Sequence, residues 1–196
     1  MKRTAVFIDR DGTINEQMGY INHMSRFHLL PGVAEAIRML NKNNFLAIVV
    51  TNQSGVARGY FPIELLHEVH AHMIETLRRE GANIDAVFFC PHYPGGKVPE
   101  YSRECDCRKP GTGLIDRARD SFDIDMLRSY LVGDHTTDLE LARRCNLEGI
   151  MVRTGYGMGE ISYALEQLSI KPCYIAEDLL DAVKWIIGRG QRQRSG

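Results

Sequence analysis

The chain has 196 residues, which is long enough for one well-buried domain. Its formal net charge of −1 and sequence pI of about 6.7 offer no basic field for nucleic acid or for an anionic membrane surface. No apolar run reaches the roughly 18 residues of a membrane-spanning helix, and the run after Met1–Thr4 is too short for a signal peptide. We therefore predict a cytoplasmic protein without nucleic-acid or membrane partners. No exposed apolar stripe indicates a dimer, so we expect a monomer.

Apolar segments alternate between strand-like and helix-like patterns along the chain. The predicted strands are residues 5–8, 45–50, 84–89, 130–132, 149–152 and 174–175. The predicted helices lie between Pro31-Gly32 and Asn43-Asn44 and at about 62–80, 112–122, 137–145 and 177–187. This alternation predicts an α/β fold with a doubly wound, mostly parallel, Rossmann-like sheet. It also predicts one domain over residues 1–187, no large cap domain, and a disordered basic tail over residues 188–196.

The predicted helix over residues 62–80 has an apolar face and three histidines. The apolar face consists of Leu65, Leu66, Val69, Met73 and Leu77. His67 and His70 lie one turn apart, and His72 follows them. Histidines on helices are more often surface or packing residues than ligands, and we interpret these three in that way.

Polar side chains follow the ends of four predicted strands. These side chains are Asp9 and Asp11, Thr51, Cys90 with His92, and Asp134. Parallel sheets bind ligands at the carboxyl ends of their strands, so we expect the four groups to converge. Gly12 permits the sharp turn that follows Asp11. An Asp-x-Asp-Gly sequence alone is also an ordinary acidic turn, so only the combination indicates a site.

The combination of groups suits phosphoryl transfer through a covalent aspartyl phosphate. A carboxylate that attacks a phosphate ester meets charge repulsion, and Asp9 and Asp134 can supply the oxygen ligands that Mg²⁺ prefers. Thr51 and Lys109 can donate hydrogen bonds and positive charge to the phosphoryl oxygens. Asp11 is left to protonate the leaving alkoxide and later to activate water.

A second pattern predicts a structural zinc site. Cys90 and His92 are two residues apart, and so are Cys105 and Cys107. Two such pairs can close a tetrahedral Cys₃His site without an open position, which is typical of structural zinc. The ion would brace a loop rich in Gly and Pro and hold the segment that ends at Lys109. The alternative is three unrelated thiols and a histidine.

Several of these segments resemble the four motifs of the haloacid dehalogenase-like (HAD-like) phosphatases. The matching segments are Asp9–Thr13 (DRDGT), Thr51, Lys109, and Gly133-Asp134 with Asp138. The resemblance extends from about residue 4 to residue 187 and implies the HAD-like fold. It also implies that Asp9 is the nucleophile and Asp11 the acid/base, with Thr51 and Lys109 as stabilisers of the phosphoryl group.

The same resemblance implies a catalytic magnesium site. Asp9, the backbone carbonyl of Asp11, and Asp134 would hold the ion. Asp138 lies one helical turn after Asp134. It either orients the metal shell or is a solvated acid in the first turn of a helix, where it favours the helix dipole.

Within this superfamily, two longer segments resemble the D-glycero-D-manno-heptose 1,7-bisphosphate 7-phosphatases, and the histidinol-phosphate phosphatases are similar. The segments are residues 51–59 and the pieces 90–92 and 105–110. The resemblance implies a small sugar bisphosphate as substrate. The residues expected to contact it are Arg10, Gln17, Met18, Gly19, Tyr20, Asn52, Gln53, Ser54, Arg108 and Lys109. Arg108 could hold the second phosphate. Positions 17 and 18 are not the Asp-His pair of the best-known members of that family, which leaves the anomer preference open.

Other classes of function share parts of this pattern. A receiver-type signalling domain also uses a strand-end Asp, a Thr and a Lys, but it lacks an acid two residues after the nucleophile. Asp11 therefore favours an enzyme. A zinc-braced nucleic-acid module is disfavoured by the near-neutral charge. Among enzymes, a histidinol-phosphate phosphatase or another small sugar-phosphate phosphatase is the alternative.

Overall fold

The computed structural model describes residues 2–165 and 170–194. Its strands are β1 (Ala5–Ile8), β2 (Leu46–Asn52), β3 (Ala86–Cys90), β4 (Tyr130–Gly133), β5 (Glu148–Val152) and β6 (Tyr174–Ala176). They form one sheet in the order β3-β2-β1-β4-β5-β6, and every neighbouring pair is parallel. This is the strand order of doubly wound Rossmann sheets, so the predicted α/β fold class is confirmed.

Helices connect the strands. They are α1 (Val33–Lys42), α2 (Ile63–Arg79), α3 (Gly113–Ser121), α4 (Thr136–Arg144), α5 (Gly157–Gly159) and α6 (Leu179–Arg194). A π-helical turn, Glu160–Ala164, follows α5, and short 3₁₀ turns occur at Met24–Arg26 and Met126–Arg128. The sequence did not predict α5 or the turn after it, because this glycine-containing segment is too short to show helical periodicity. None of the described helices is long and apolar enough to cross a membrane.

The sheet is covered on both faces. Side chains alternate along each strand, so Val6 and Ile8 belong to one core and Phe7 to the other. Helices α1, α2 and α6 contribute to the first core, and α3 and α4 contribute to the second. Burial on both faces explains why the strands are almost continuous apolar runs in the sequence.

The last helix is longer than the sequence predicted. α6 extends to Arg194, whereas the sequence predicted a helix to residue 187 and a disordered tail over residues 188–196. Within the added turns, Arg189 pairs with Glu148 and its guanidinium lies 5.1 Å from the centre of the Trp185 ring. Both contacts favour continued helix, and the pairing with Glu148 depends on β5, which is distant in sequence. The last two residues lie outside the described part of the chain.

The topology places a crevice beside β1. β1 pairs with β2 on one side and with β4 on the other, so the chain changes direction across the sheet at this point. Ligands in open α/β sheets bind at such a switch point, outside the carboxyl ends of the strands. Asp9 follows β1 directly and Asp134 follows β4 directly, so both carboxylates lie at the crevice.

Candidate active site

A cleft of about 280 Å³ opens at the carboxyl ends of the strands. The predicted site residues that line it are Asp9, Asp11, Gln17, Gly19, Tyr20, Thr51, Asn52, Ser54, Arg108, Lys109 and Asp134. Segments that are far apart in the sequence thus come together at one edge of the sheet, because parallel strands end on the same side.

Lys109 is the cation of the cleft floor and is only 5% exposed. Its Nζ lies 2.7 Å from Asp9 Oδ1 and 2.7 Å from Asp138 Oδ1, and it donates a hydrogen bond of 3.1 Å to the carbonyl of Val50. Burial by itself lowers the pKa of a lysine, but the two carboxylates outweigh it and raise the pKa of Lys109 above its usual value. The ammonium therefore stays charged.

Three buried carboxylates surround this ammonium. Asp9, Asp134 and Asp138 offer oxygens that lie within 4.8 Å of one another. Burial, opposed by Lys109, raises the pKa of Asp9 to about 6, and burial together with Asp9 raises the pKa of Asp134 to about 8. Three carboxylates against one ammonium leave excess negative charge, and hard oxygen ligands suit Mg²⁺. The residues present therefore fit a divalent cation.

Two glycines make room for the Asp134 carboxylate. Gly12 has φ +84° and Gly155 has φ +59°, and a Cβ at either position would lie 2.0 Å from Asp134 Oδ2. The same oxygen accepts a 2.8 Å hydrogen bond from the backbone N–H of Tyr156. Thr154 donates to the carbonyl of Gly12 at 2.6 Å. The loop after β5 is thus fastened to the turn after β1, with Asp134 between them.

Asp11 is held by a separate set of donors. Arg10 Nη2 lies 2.8 Å from both carboxylate oxygens, and the side-chain amides of Asn15 and Gln53 donate at 3.0 and 2.7 Å. Burial favours the neutral acid, but the charge of Arg10 and these hydrogen bonds prevail and lower the pKa of Asp11. The Asp11 carboxylate is not part of the cluster of three carboxylates, which is consistent with metal binding through the backbone carbonyl alone.

Three residues predicted to contact substrate, Arg10, Met18 and Gln53, are not part of the cleft lining. Arg10 and Gln53 are 1% and 5% exposed, so they lie beneath the cleft and support its residues. Gln53 donates to Thr51 Oγ1 at 3.0 Å as well as to Asp11. Met18 packs against the first apolar core. None of the three side chains lines the cleft, and their contact with substrate stays a prediction.

Asn52 has a second role that the sequence did not indicate. Its Oδ1 accepts a 2.9 Å hydrogen bond from the Lys109 backbone N–H, and its Nδ2 donates to the Lys109 carbonyl at 3.2 Å. One side-chain amide therefore fastens the backbone of Lys109 to the end of β2. The position of the Lys109 ammonium depends on this contact.

Asp138 is a buried partner of Lys109 and is only 1% exposed. Its Oδ2 accepts a 3.2 Å hydrogen bond from the backbone of His135, which completes a capping box at the start of α4. The alternative of a solvated acid was wrong. The aspartate holds Lys109 and begins the helix that follows β4.

The cleft also contains residues that the sequence did not assign to the site. His135, Thr137 and Tyr156 line it. His135 lies 3.5 Å from Glu160, whose carboxylate also accepts a hydrogen bond from Thr136. The place of His135 directly after a strand-end Gly-Asp could have indicated it. Tyr156 gave no such signal, since its position depends on the contact between the β5 loop and the β1 turn.

The predicted Cys and His ligands form one cluster. Cys90, His92, Cys105 and Cys107 offer atoms that lie within 4.8 Å of one another. Cys107 Sγ is 3.1 Å from Cys90 Sγ and 3.3 Å from His92 Nδ1. The hydrogen bond between the Cys107 and Cys90 thiols and the contact with His92 lower the pKa of Cys107, although burial opposes this. Three thiols and an imidazole at this spacing could bind a tetrahedral metal ion.

Comparisons with known proteins agree with this geometry. A family described as HAD-hydrolase-like matches residues 106–182. The D-glycero-D-manno-heptose-1,7-bisphosphate 7-phosphatase of Thermosynechococcus vestitus is 43% identical over 95% of this chain and 96% of its own length. The D-glycero-beta-D-manno-heptose-1,7-bisphosphate 7-phosphatase of Escherichia coli K12 is 43% identical over 77% of this chain and 80% of its own. The structure of D,D-heptose 1,7-bisphosphate phosphatase from B. bronchiseptica, complexed with magnesium and phosphate, matches with a TM-score of 0.83 and 30% identity, over 95% of this chain and 99% of that one.

The raised pKa of Asp134 gives a test of the carboxylate cluster. A carboxyl whose folded-state pKa is about 8, against about 4 when unfolded, costs stability that grows as the pH rises between these values. Asp134→Asn should therefore raise the Tm of the metal-free protein at pH 8 and leave it almost unchanged at pH 4. The variant should also lose the increase in Tm that Mg²⁺ gives the wild type. Thermal unfolding with and without Mg²⁺ measures both effects.

The exposed residue Asp120 supplies the matched control, because Asp120→Asn removes the same charge outside the cleft. This control should keep the wild-type response to Mg²⁺. A wild-type Tm that does not respond to Mg²⁺ at pH 8 would contradict the assignment of the cluster to a divalent cation.

Proposed function

The chain belongs to the D-glycero-D-manno-heptose 1,7-bisphosphate 7-phosphatase family of HAD-like hydrolases, and we propose that it removes the C7 phosphate of D-glycero-D-manno-heptose 1,7-bisphosphate through an aspartyl phosphate on Asp9. The observation that carries this proposal is the buried Asp9 carboxylate, fixed 2.7 Å from the Lys109 ammonium at the floor of an open cleft. A fixed nucleophile beside a fixed cation suits an anionic phosphoryl group.

In the first step, Asp9 attacks phosphorus and the bond from phosphorus to the C7 oxygen breaks. Lys109 and the Thr51 hydroxyl donate to the phosphoryl oxygens, where negative charge is concentrated. Asp11 transfers a proton to the departing C7 oxygen, which leaves as an alcohol. The dianionic substrate raises the proton affinity of Asp11 and so counteracts the effect of Arg10 on its pKa.

In the second step, Asp11 accepts a proton from a water molecule that attacks phosphorus. The bond between Asp9 and phosphorus breaks, which releases inorganic phosphate and restores the carboxylate. Asp9, Asp134 and the Asp11 backbone carbonyl would hold Mg²⁺. When bound, this ion supplies positive charge between the nucleophile and the phosphate.

The second phosphate of the substrate needs its own cation, and we assign Arg108 to it. Arg108 lines the cleft next to Lys109, and its Nη1 is buried without a hydrogen-bond partner among the described residues. Its guanidinium lies 5.5 Å from the centre of the Tyr93 ring, which restricts its position. An oriented guanidinium with a free donor suits bidentate recognition of the C1 phosphate.

The Cys and His cluster would hold a structural Zn²⁺. Cys107 directly precedes Arg108 in the chain, so an ion bound to Cys107 would fix the segment that carries both phosphate-binding cations. All four ligand positions would be filled by protein atoms, and such closed sites stabilise folds and do not react. The catalytic and the structural ions would therefore be separate.

We also propose that the enzyme acts as a monomer in the cytoplasm. The residues assigned to the reaction complete one cleft without a second copy of the chain, which is compatible with a monomer. Free thiols at the metal cluster suit a reducing compartment.

The substrate proposal predicts a specific product. The wild type should release one phosphate from heptose 1,7-bisphosphate and leave the C1 phosphate in place, and ³¹P NMR distinguishes the two. Both anomers, fructose 1,6-bisphosphate and histidinol phosphate complete the panel. Asp9→Asn should abolish release, because an amide is not a nucleophile for phosphorus, while Asp120→Asn should retain it. A preference for histidinol phosphate would refute the proposed heptose substrate. Activity of Asp9→Asn would refute the proposed role of Asp9 as the nucleophile.

Arg108→Ala should lower kcat/KM for the bisphosphate by roughly ten- to a hundredfold, which is the scale of a lost charge-assisted hydrogen bond. Heptose 7-phosphate lacks the C1 group and should be affected little. The matched control is Lys97→Ala, which removes an exposed cation from the same loop outside the cleft. Equal losses on the bisphosphate and the monophosphate would show that Arg108 serves the reacting phosphate instead.

Zinc analysis tests the second ion. The freshly purified wild type should contain about one Zn²⁺ per chain and should still need added Mg²⁺ for activity. Cys107→Ala should lose zinc and much of its turnover, because the adjacent Arg108 and Lys109 would lose their support. Cys145→Ala, at a half-buried thiol outside the cluster, should retain both. Zinc-free protein with full activity would contradict a structural role for the ion.

A further inference from the structure

A buried histidine contacts the arginine that holds the acid/base. Arg10 is 1% exposed, and its Nε and Nη2 both donate to Asp11, at 3.2 and 2.8 Å. Its remaining nitrogen, Nη1, lies 3.0 Å from Nε2 of His70 on α2. A guanidinium has donors only, so Nε2 must be the acceptor and the imidazole must be neutral, with its proton on Nδ1. Arg10 therefore donates to Asp11 on one side and to His70 on the other.

His70 occupies a position that would otherwise be apolar. The other buried residues of α2 are Leu66, Val69, Met73 and Leu77. His70 is 6% exposed and packs against the Phe89 ring, with 5.4 Å between the ring centres. Burying a polar group costs free energy unless it is hydrogen-bonded, and Arg10 supplies that bond. Burial and the charge of Arg10 lower the pKa of His70 to about 3, so it remains an acceptor at neutral pH.

The same helix provides a comparison. His67 lies one turn before His70 and also packs edge-on against Phe89, with 5.5 Å between the ring centres. His67 is exposed and makes no hydrogen bond to Arg10. The two histidines therefore share the aromatic contact and differ in the contact with the guanidinium.

We infer that His70 is a positioning residue for the acid/base step: it fixes the guanidinium of Arg10, and Arg10 fixes the Asp11 carboxylate at the cleft. The inference rests on the proposed role of Asp11. Without an acceptor at position 70, Arg10 Nη1 would keep a buried donor unpaired, and the side chain would shift to satisfy it. An acid/base must lie within hydrogen-bond reach of the reacting oxygen. A displacement of about 1 Å can reduce the rate by about a hundredfold.

Three variants separate positioning from packing. His70→Phe keeps a ring of similar size against Phe89 and removes the acceptor. His70→Gln can place an amide oxygen near the position of Nε2 and should rescue the contact. His67→Gln is the control on the same helix. The rate of the first turnover is measured by rapid quench with heptose 1,7-bisphosphate and with p-nitrophenyl phosphate, and is expressed per folded molecule after thermal unfolding has been recorded.

His70→Phe should lower the first-turnover rate on the heptose substrate by roughly ten- to a hundredfold and leave KM almost unchanged. The loss on p-nitrophenyl phosphate should be much smaller, because nitrophenolate leaves without a proton and therefore needs no acid. His70→Gln should recover most of the rate on the sugar, and His67→Gln should match the wild type.

Equal losses of His70→Phe on both phosphates, or no loss on the sugar, would overturn the inference and leave His70 as a packing residue. A wild type that is inactive on heptose bisphosphate would instead refute the proposed substrate. In that case the leaving-group comparison is made with an alkyl phosphate that the enzyme does hydrolyse, and it decides the role of His70 in the same way.

Discussion

The site depends on one charge constraint, which is a single buried ammonium facing three buried carboxylates. Lys109 Nζ contacts Asp9 and Asp138 at 2.7 Å, and Asp134 lies in the same cluster. The ammonium neutralises only part of this negative charge, so the cluster favours the binding of a divalent cation. A cluster of this kind attracts both the metal and, through the metal, a phosphate dianion. Burial of the carboxylates is therefore unfavourable for the free protein and useful for the reaction.

The surrounding elements maintain this constraint. Asn52 fastens the Lys109 backbone to β2, and Gly12 and Gly155 leave room for the Asp134 carboxylate. The Cys and His cluster lies immediately before Arg108 in the chain, so the loop that carries both cations is supported from two sides. Asp11, the proposed acid/base, is held by Arg10, which also contacts His70 on α2. Each proposed reacting group is thus held in place by neighbouring side chains and backbone.

Much of the fold and of the candidate site could be predicted from the sequence, because the patterns that indicate them are local in the chain. Continuous apolar runs indicate strands buried on both faces, and polar residues directly after them must meet at the edge of a parallel sheet. The inward direction of Arg10 could not be predicted, since it depends on a histidine on α2. The cleft wall at Tyr156 depends on a contact between the loops after β5 and β1. The extension of α6 depends on a pairing of Arg189 with β5. Each of these three features depends on a contact with a residue that is distant in sequence.

The central claim is that the Asp9 carboxylate becomes bonded to phosphorus. The most direct measurement is to quench the enzyme with acid during turnover of heptose 1,7-bisphosphate, reduce it with borohydride, and map the peptides by mass spectrometry. Borohydride converts an aspartyl phosphate into homoserine, so the modified position identifies the nucleophile. Our account predicts homoserine at position 9, only when substrate and Mg²⁺ are both present. Modification at Asp11 or Asp134, or an unmodified Asp9 in an enzyme quenched while turning over, would contradict it.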